Sequence, residues 1–367
     1  MPFSDNSSPS HSTDFSQRLC RTLVADTLTK VEHELAEIKS VRFLVDCPWP
    51  PGKRLRPITF LLAYLSVAVE KTLTPSIDGR ESRLAAAIEL MHEASLVHDD
   101  LVDRSLLRRG KGTVQTVHGD GIAILIGDYM VFRGLKLVLD AARSQQDIVL
   151  ARELANTGLA IAHGEVDQLD AYLNHRDPKQ RMSLDHYLNV IGKKTASFFA
   201  GCSEGGAALA GAGKEVRQIY RSFGMNMGLV FQMVDDLMDL IGDQKKAQKS
   251  LRNNLNEGTV TLPMIHAFAM QPDHPDLNKL ANAGKLNRTE RARLHRLLAT
   301  DEVIGRTRAT MDEYAAKTLE DLSKLPANIY RAGLGDLFDY VRDCSWGGLE
   351  QKLAQRPAGG ELSDRHA

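Results

Sequence analysis

The chain has 367 residues, 43% of them hydrophobic, enough to build a substantial core in one domain or two. Lysine and arginine number 46 against 47 acids, and the formal net charge of −1 excludes a nucleic-acid or polyanion signature. Four cysteines, Cys20, Cys47, Cys202 and Cys344, lie far apart without CxxC spacing, which argues against a zinc site or disulfide framework and fits a reducing cytoplasm.

Along the chain, the N-terminal stretch to Phe15 is polar and serine-rich, with no visible signal peptide or membrane anchor. Residues 1–13 are expected to be disordered, residues 14–355 to form one helical domain, and residues 356–367 to be a flexible tail. Apolar residues recur at three- and four-residue spacing almost throughout and alternating strands are hard to find, so the chain reads as all-α. Helices are expected near residues 14–43, 54–72, 80–106, 119–143, 147–174, 183–211, 214–242, 259–270, 287–299, 301–323 and 327–343. Pro48-Trp49-Pro50-Pro51-Gly52 ends the first, Arg109-Gly110-Lys111-Gly112 follows the third, and a polar stretch from Gly242 to Gly258 precedes the eighth. The most apolar window, Gly121 to Phe132, is short and interrupted by Asp128, and reads as a buried helix rather than a membrane span.

Two of these helices end in the same spacing of acids: Asp99-Asp100-Leu101-Val102-Asp103 and Asp235-Asp236-Leu237-Met238-Asp239. On a helix the first and last carboxylates are one turn apart with the middle one beside them. Such crowding is costly unless the acids are solvated or neutralised by a hard cation, of which magnesium is the natural candidate. A lone DDxxD is usually a solvated acidic face, but both copies stand among apolar residues. Magnesium takes one or two carboxylates plus phosphate oxygens, so two facing clusters suggest a diphosphate clamped between metals. Basic groups near helix ends complement this: Lys53, Arg54 and Arg56 after the Pro-Gly break, Arg108 and Arg109 after the first cluster, and Lys193-Lys194 within another helix.

These segments, taken in order, resemble the trans-isoprenyl diphosphate synthase (polyprenyl synthase) family. The matching stretches are Gly52-Lys53-Arg54-Leu55-Arg56-Pro57, Met91-His92, the first cluster with Arg108-Arg109-Gly110, Gly127-Asp128-Tyr129, Lys194-Thr195-Ala196, and Phe231-Gln232 with the second cluster, covering roughly residues 45 to 265. The resemblance implies an all-helical bundle with a deep apolar cavity between facing acidic helices, usually a homodimer, using magnesium, three ions per site. By position, Asp99, Asp103 and Asp235 would hold the metal against an allylic diphosphate (geranyl, farnesyl or geranylgeranyl), with Asp100, Asp236 and Asp239 in support. Arg108, Lys194 and Lys249 would contact that diphosphate, Thr195 and Gln232 would line the reaction centre, and Lys53, Arg56, His92 and Arg109 would bind isopentenyl diphosphate. His92 stands two turns before Asp99 on nearly the same face, which agrees with a second diphosphate beside the first.

The chain departs from the family pattern at Pro51 and Gly112, and more seriously after the second cluster, where Asn254 replaces an acid and Thr259 replaces a lysine. Asparagine keeps an oxygen acceptor but loses charge, so outer-shell support of a metal is expected to weaken. Ala94 and Ser95, one turn before the first acids, stand where short-chain members carry aromatics. With Met91 and Ala87 deeper on the helix, they point to products of about thirty carbons or more, with a twenty-carbon product next; Gly164-Glu165-Val166-Asp167-Gln168-Leu169 also resembles long-chain members. Two other readings compete: a class I terpene cyclase or atypical prenyltransferase, and a non-catalytic partner subunit. Lys53, Arg56 and Arg109 argue against the first, and two intact clusters against the second.

Overall fold

A computed structural model describes residues 24–39, 52–71, 79–108, 110–143, 145–173, 177–241, 259–282 and 284–354. The expected disordered segment 1–13, the tail 356–367, and Arg109, Lys249 and Asn254 lie outside the described residues. Among the described residues the chain is all-α apart from one short hairpin.

In order, the helices are α1 (Ala25–Lys39), α2 (Leu55–Ala68), α3 (Gly79–Val102), α4 (Val114–His118), α5 (Asp120–Ala141), α6 (Gln145–Leu173), α7 (Pro178–Arg181) and α8 (Leu184–Ile191). A π-helical turn (Gly192–Ala196) leads into α9 (Ser197–Leu209), followed by α10 (Lys214–Ile241), α11 (Leu262–Met270), α12 (Pro275–Ala281), α13 (Arg288–Leu298), α14 (Asp301–Ser323) and α15 (Ile329–Ala354). The hairpin pairs β1 (Leu107–Arg108) antiparallel with β2 (Lys111–Gly112).

Helix α2 is buried almost all round and forms the axis, packed by α3, α9 and α15. Phe60, Phe199, Tyr220, Phe223 and Phe338 are its largest fully buried neighbours and members, each removing a large apolar area from water. Local chemistry sets several boundaries. Ser183 accepts from the His186 amide to start α8, and Asn287 with Glu290 forms a capping box on α13. The structure differs from the sequence expectation where backbone geometry, not apolar period, decides. Helix α3 stops at Val102 because Arg104 turns left-handed (φ 53°) and the Ser105 amide folds back to the Asp100 carbonyl at 2.8 Å. The expected helix 183–211 is interrupted by the π turn, whose extra residue no apolar period reveals. Short α4, α7 and α12 and the hairpin were not expected from the pattern, being too brief to show one.

Candidate active site

Both acidic clusters lie at the C-terminal ends of their helices, with no basic residue in either last turn. The helix dipole is negative there, so six carboxylates are placed where the backbone itself calls for cations. Asp103 remains on the arc of its cluster, because its amide still bonds the Asp99 carbonyl at 2.9 Å.

The first cluster meets charged partners. Arg108, turned back by the hairpin, donates from Nε to Asp100 Oδ2 at 2.7 Å and lies 3.9 Å from Asp99 Oδ2. Burial pushes the Asp100 carboxyl up, while Arg108 pulls it down. Gln115 of α4 donates to the Asp100 and Ser105 carbonyls, both at 2.9 Å, and closes the end of α3. Lys194 approaches from the π turn: its ammonium is 3.8 Å from Asp99 Oδ1 and 2.5 Å from Glu165 Oε2, and donates to Gln168 Oε1 at 3.2 Å.

The second cluster meets mostly neutral donors. Asp236 is buried and accepts from Tyr187 Oη at 2.8 Å, Gln232 Nε2 at 3.0 Å and the Leu262 amide at 3.1 Å. Burial pushes its carboxyl up to about 7, against the three donors. Asp235 is exposed. The surrounding protein still desolvates it enough to raise its carboxyl, and the Lys53 ammonium lowers it. Asp239, half-buried, follows one turn later on α10.

The π turn joins the two clusters. Within it Lys194 faces Asp99, whereas the next residue, Thr195, donates to Gln232 Oε1 at 2.9 Å, and Gln232 in turn reaches Asp236. The widened turn allows consecutive side chains to serve opposite walls. Two glycines let neighbouring helices come close enough: a Cβ at Gly164 of α6 would lie 2.8 Å from Lys193 Cβ, and one at Gly228 of α10 would lie 2.6 Å from Ala196 Cα. A small cavity of about 100 Å³ lies beneath the turn; its lining residues are mostly polar, with Arg181, Tyr187, Lys194, Thr195, Gln232 and Asp236 beside the apolar Val190, Ile191 and Val260, and neither Asp99 nor Asp235 is among them.

A second basic group stands beside Asp235. Lys53 is exposed, its ammonium 5.8 Å from the Tyr340 ring. The Arg56 guanidinium stacks 4.7 Å from Phe199 and 5.2 Å from Phe198, and its Nη1 lies 2.9 Å from His92 Nε2. With arginine donating, that nitrogen is the acceptor of a neutral imidazole. Arg56 Nε is buried without a hydrogen-bond partner among the described residues.

The structure thus brings Asp99, Asp100, Asp103, Arg108 and Lys194 together on one wall, and Thr195, Gln232, Asp235, Asp236 and Asp239 on the other, with Lys53, Arg56 and His92 flanking. Among the described residues no three His, Cys, Asp or Glu side chains form a group able to hold a metal ion unaided. The oxygen-only donor set does suit a hard cation that draws other ligands from a substrate phosphate. Asp99 is half-buried, with its nearest cationic atoms at 3.8 and 3.9 Å, and a buried Glu165 oxygen has no hydrogen-bond partner among the described residues.

Sequence reasoning gave no role to Tyr187, grouped Arg54 only with the neighbouring basic residues, and read Glu165 and Gln168 only as part of a stretch resembling long-chain members. Glu165 and Gln168 were visible as polar residues one turn apart in an otherwise mixed helix. Tyr187, seven residues before Lys194, carried no signal. Of the residues associated with chain length, Ala87 and Ala94 are buried, Ser95 donates to the His92 carbonyl at 2.8 Å, and Met91 lies so close to α5 that a Cβ at Gly134 would be 2.7 Å from its Cγ.

The family model for polyprenyl synthetase matches residues 41–299. An all-trans-nonaprenyl-diphosphate synthase (geranyl-diphosphate specific) of Rhodobacter capsulatus is 34% identical over 78% of this chain and 83% of its own length. The octaprenyl diphosphate synthase of Escherichia coli K12 is 32% identical over 77% of this chain and 83% of its own. The crystal structure of a Caulobacter crescentus polyprenyl synthase, complexed with calcium and isoprenyl diphosphate, superposes with a TM-score of 0.76 at 27% identity, covering 92% of this chain and 99% of that one. Paired acidic helix ends in an all-α bundle and a match across most of the sequence lead to one assignment: this chain belongs to the polyprenyl synthetase family, prenyltransferases of isoprenoid biosynthesis that elongate trans-prenyl chains.

Proposed function

We propose that this enzyme condenses isopentenyl diphosphate with an allylic diphosphate (geranyl, farnesyl or geranylgeranyl) in the presence of magnesium, giving an all-trans polyprenyl diphosphate of about thirty carbons or more. The observation that carries this reading is the π turn, from which Lys194 and Thr195 reach toward the two acidic walls at once. Asp99, Asp103 and Asp235 are the residues that would hold the metal, with Asp239 beside them, while Asp100 and Asp236 hold Arg108, Gln232 and Tyr187 in place. When bound, magnesium supplies positive charge that stabilises the departing diphosphate.

Lys194 and Arg108 orient the allylic diphosphate and share its developing charge. The allylic C–O bond breaks heterolytically, the diphosphate leaving with the bonding electrons. Thr195 and Gln232, their dipoles fixed by the chain of hydrogen bonds to Asp236, line the resulting carbocation. Arg56, His92 and Lys53 hold isopentenyl diphosphate so that its double bond attacks that carbon, and the unpartnered Arg56 Nε suits a phosphate oxygen. A carbon–carbon bond forms, and transfer of a proton to the released diphosphate restores an allylic diphosphate five carbons longer. No covalent enzyme intermediate is needed.

The long-product reading rests on the small Ala94 and on relatives named for octaprenyl and nonaprenyl products, since Ala87 and Met91 are taken up by the close approach of α5. A homodimer is part of the same proposal. Helix α5 exposes Leu125, Phe132 and Leu139 at seven-residue spacing and α6 exposes Leu159 and Val166, an apolar face that a second copy would cover. No helix of the described residues is long and apolar enough to cross a membrane. Incubation with farnesyl and isopentenyl diphosphates and magnesium, with mass spectrometry of the products, tests the proposal. Longer diphosphates are expected; released hydrocarbon would identify a cyclase, and no turnover without a second chain would identify a partner subunit.

A further inference from the structure

We infer that Arg54 is a positioning residue for the isopentenyl diphosphate half of the site, its buried guanidinium fixing both the loop that carries Lys53 and Arg56 and the helical turn that carries His92. The inference rests on the proposed function and deepens it.

Arg54 is the N-cap of α2 and stands in the left-handed region at φ 58°, ψ 28°, with no side-chain cap. An L side chain adopts that conformation only where the surroundings demand it. The demand is visible in its contacts. The residue is buried, and its fork grips Glu32 of α1 through Nε at 2.6 Å and Nη2 at 3.1 Å. Nη1 reaches Glu89 at 2.6 Å and Glu93 at 3.0 Å, both on α3. Burial opposes the charge, and the carboxylates outweigh it and keep the guanidinium protonated.

The two consequences are geometric. Glu89 and Glu93 bracket His92 within one turn of α3, so gripping both fixes the rotation of the turn that presents the imidazole to Arg56. The left-handed step at Arg54 sets the direction in which the loop carrying Lys53 enters the helix carrying Arg56, with Lys53 within electrostatic reach of Asp235 and Arg56 beside His92. Three groups on two segments are thereby referred to one buried anchor that itself touches none of the reacting atoms. A clamp serving the fold alone would not distinguish one substrate from the other.

The test measures Michaelis constants for both substrates, kcat, thermal unfolding, and calorimetric binding of isopentenyl diphosphate without the allylic partner. Arg54→Gly accepts the positive φ but removes the guanidinium, so it separates the backbone turn from the clamp. Its Michaelis constant for isopentenyl diphosphate is expected to rise at least about tenfold while that for the allylic diphosphate stays within about twofold, with the calorimetric affinity falling in parallel. Arg54→Lys, which keeps charge but loses the fork, is expected to show a rise of about threefold. Unchanged isopentenyl diphosphate constants, or equal rises for both substrates, would overturn the inference. If Arg54→Gly shows no cooperative unfolding, Arg54→Lys and Glu93→Gln decide by the same criterion. Failure of the wild-type enzyme to elongate would instead sink the proposed function, so the two failures are distinct.

Discussion

The two acidic clusters share one spacing and one position at helix ends, yet they are supported by opposite means. Around Asp99, Asp100 and Asp103 the partners are cations, Arg108 and Lys194, on side chains that can exchange a carboxylate for a phosphate. Around Asp236 the partners are the Tyr187 hydroxyl, the Gln232 amide and a backbone amide, which cannot leave without breaking packing. One wall is therefore built to respond to substrate charge, and the other to remain fixed while charge passes in front of it. Each DDxxD has a buried middle acid, but only in the second does that acid tie three elements, α8, α10 and α11, together.

The largest effects should be common to both walls. Asp99→Ala and Asp235→Ala are each expected to lower kcat by roughly a hundredfold or more, because in the proposed function these two acids hold the metal against the leaving diphosphate. Steady-state assays on variants with wild-type unfolding profiles check this, and near-normal turnover in either would break the metal assignment. The middle acids sharpen the comparison. Asp236→Asn replaces one acceptor oxygen with a donor and cannot satisfy all three neighbours, so a loss of about 10- to 100-fold is expected. Asp100→Asn leaves Arg108 free to pair with Asp99 and should cost only a few-fold. Equal losses would show that the two walls are not built differently. Tyr187→Phe removes one donor from Asp236 and should lower kcat by about tenfold or less, with both Michaelis constants little changed; a large rise in either would place Tyr187 against substrate instead.

Much of this was legible in the sequence, because helix period and acid spacing are local. The clusters, the basic loop at Lys53 and Arg56, and the all-α class follow from patterns within a few residues. The supports do not. Tyr187 reaches Asp236 across 49 positions, and Arg54 reaches Glu89 and Glu93 across 35 and 39, and no local period encodes such pairings. The π turn was hidden for a different reason: one extra residue within a helix leaves the apolar pattern nearly intact while it redirects two side chains. Ala87 and Met91 show a further limit, since small or flexible residues beside a growing chain and residues admitting a close helix look alike in a sequence.

The smallest expected effect is on the stability of the metal-free protein, and it follows from the neutral wall. Burial raises the Asp236 carboxyl from an ordinary 3.8 to about 7, and the donors from Gln232, Tyr187 and Leu262 only partly offset this. A carboxyl raised on folding holds a proton that the unfolded chain has already released. Its contribution to stability is therefore complete below the unfolded value and is lost as pH rises through the folded one. The melting temperature of the metal-free enzyme should accordingly decline by a few degrees between about pH 4 and pH 7, and the decline should flatten in Asp236→Asn, which has no proton to lose. Thermal scans across that range in chelator check the point. A decline as steep in Asp236→Asn as in the wild type would mean that the fixed wall carries its charge at neutral pH just as the responsive wall does, and the contrast between them would reduce to hydrogen-bond partners alone.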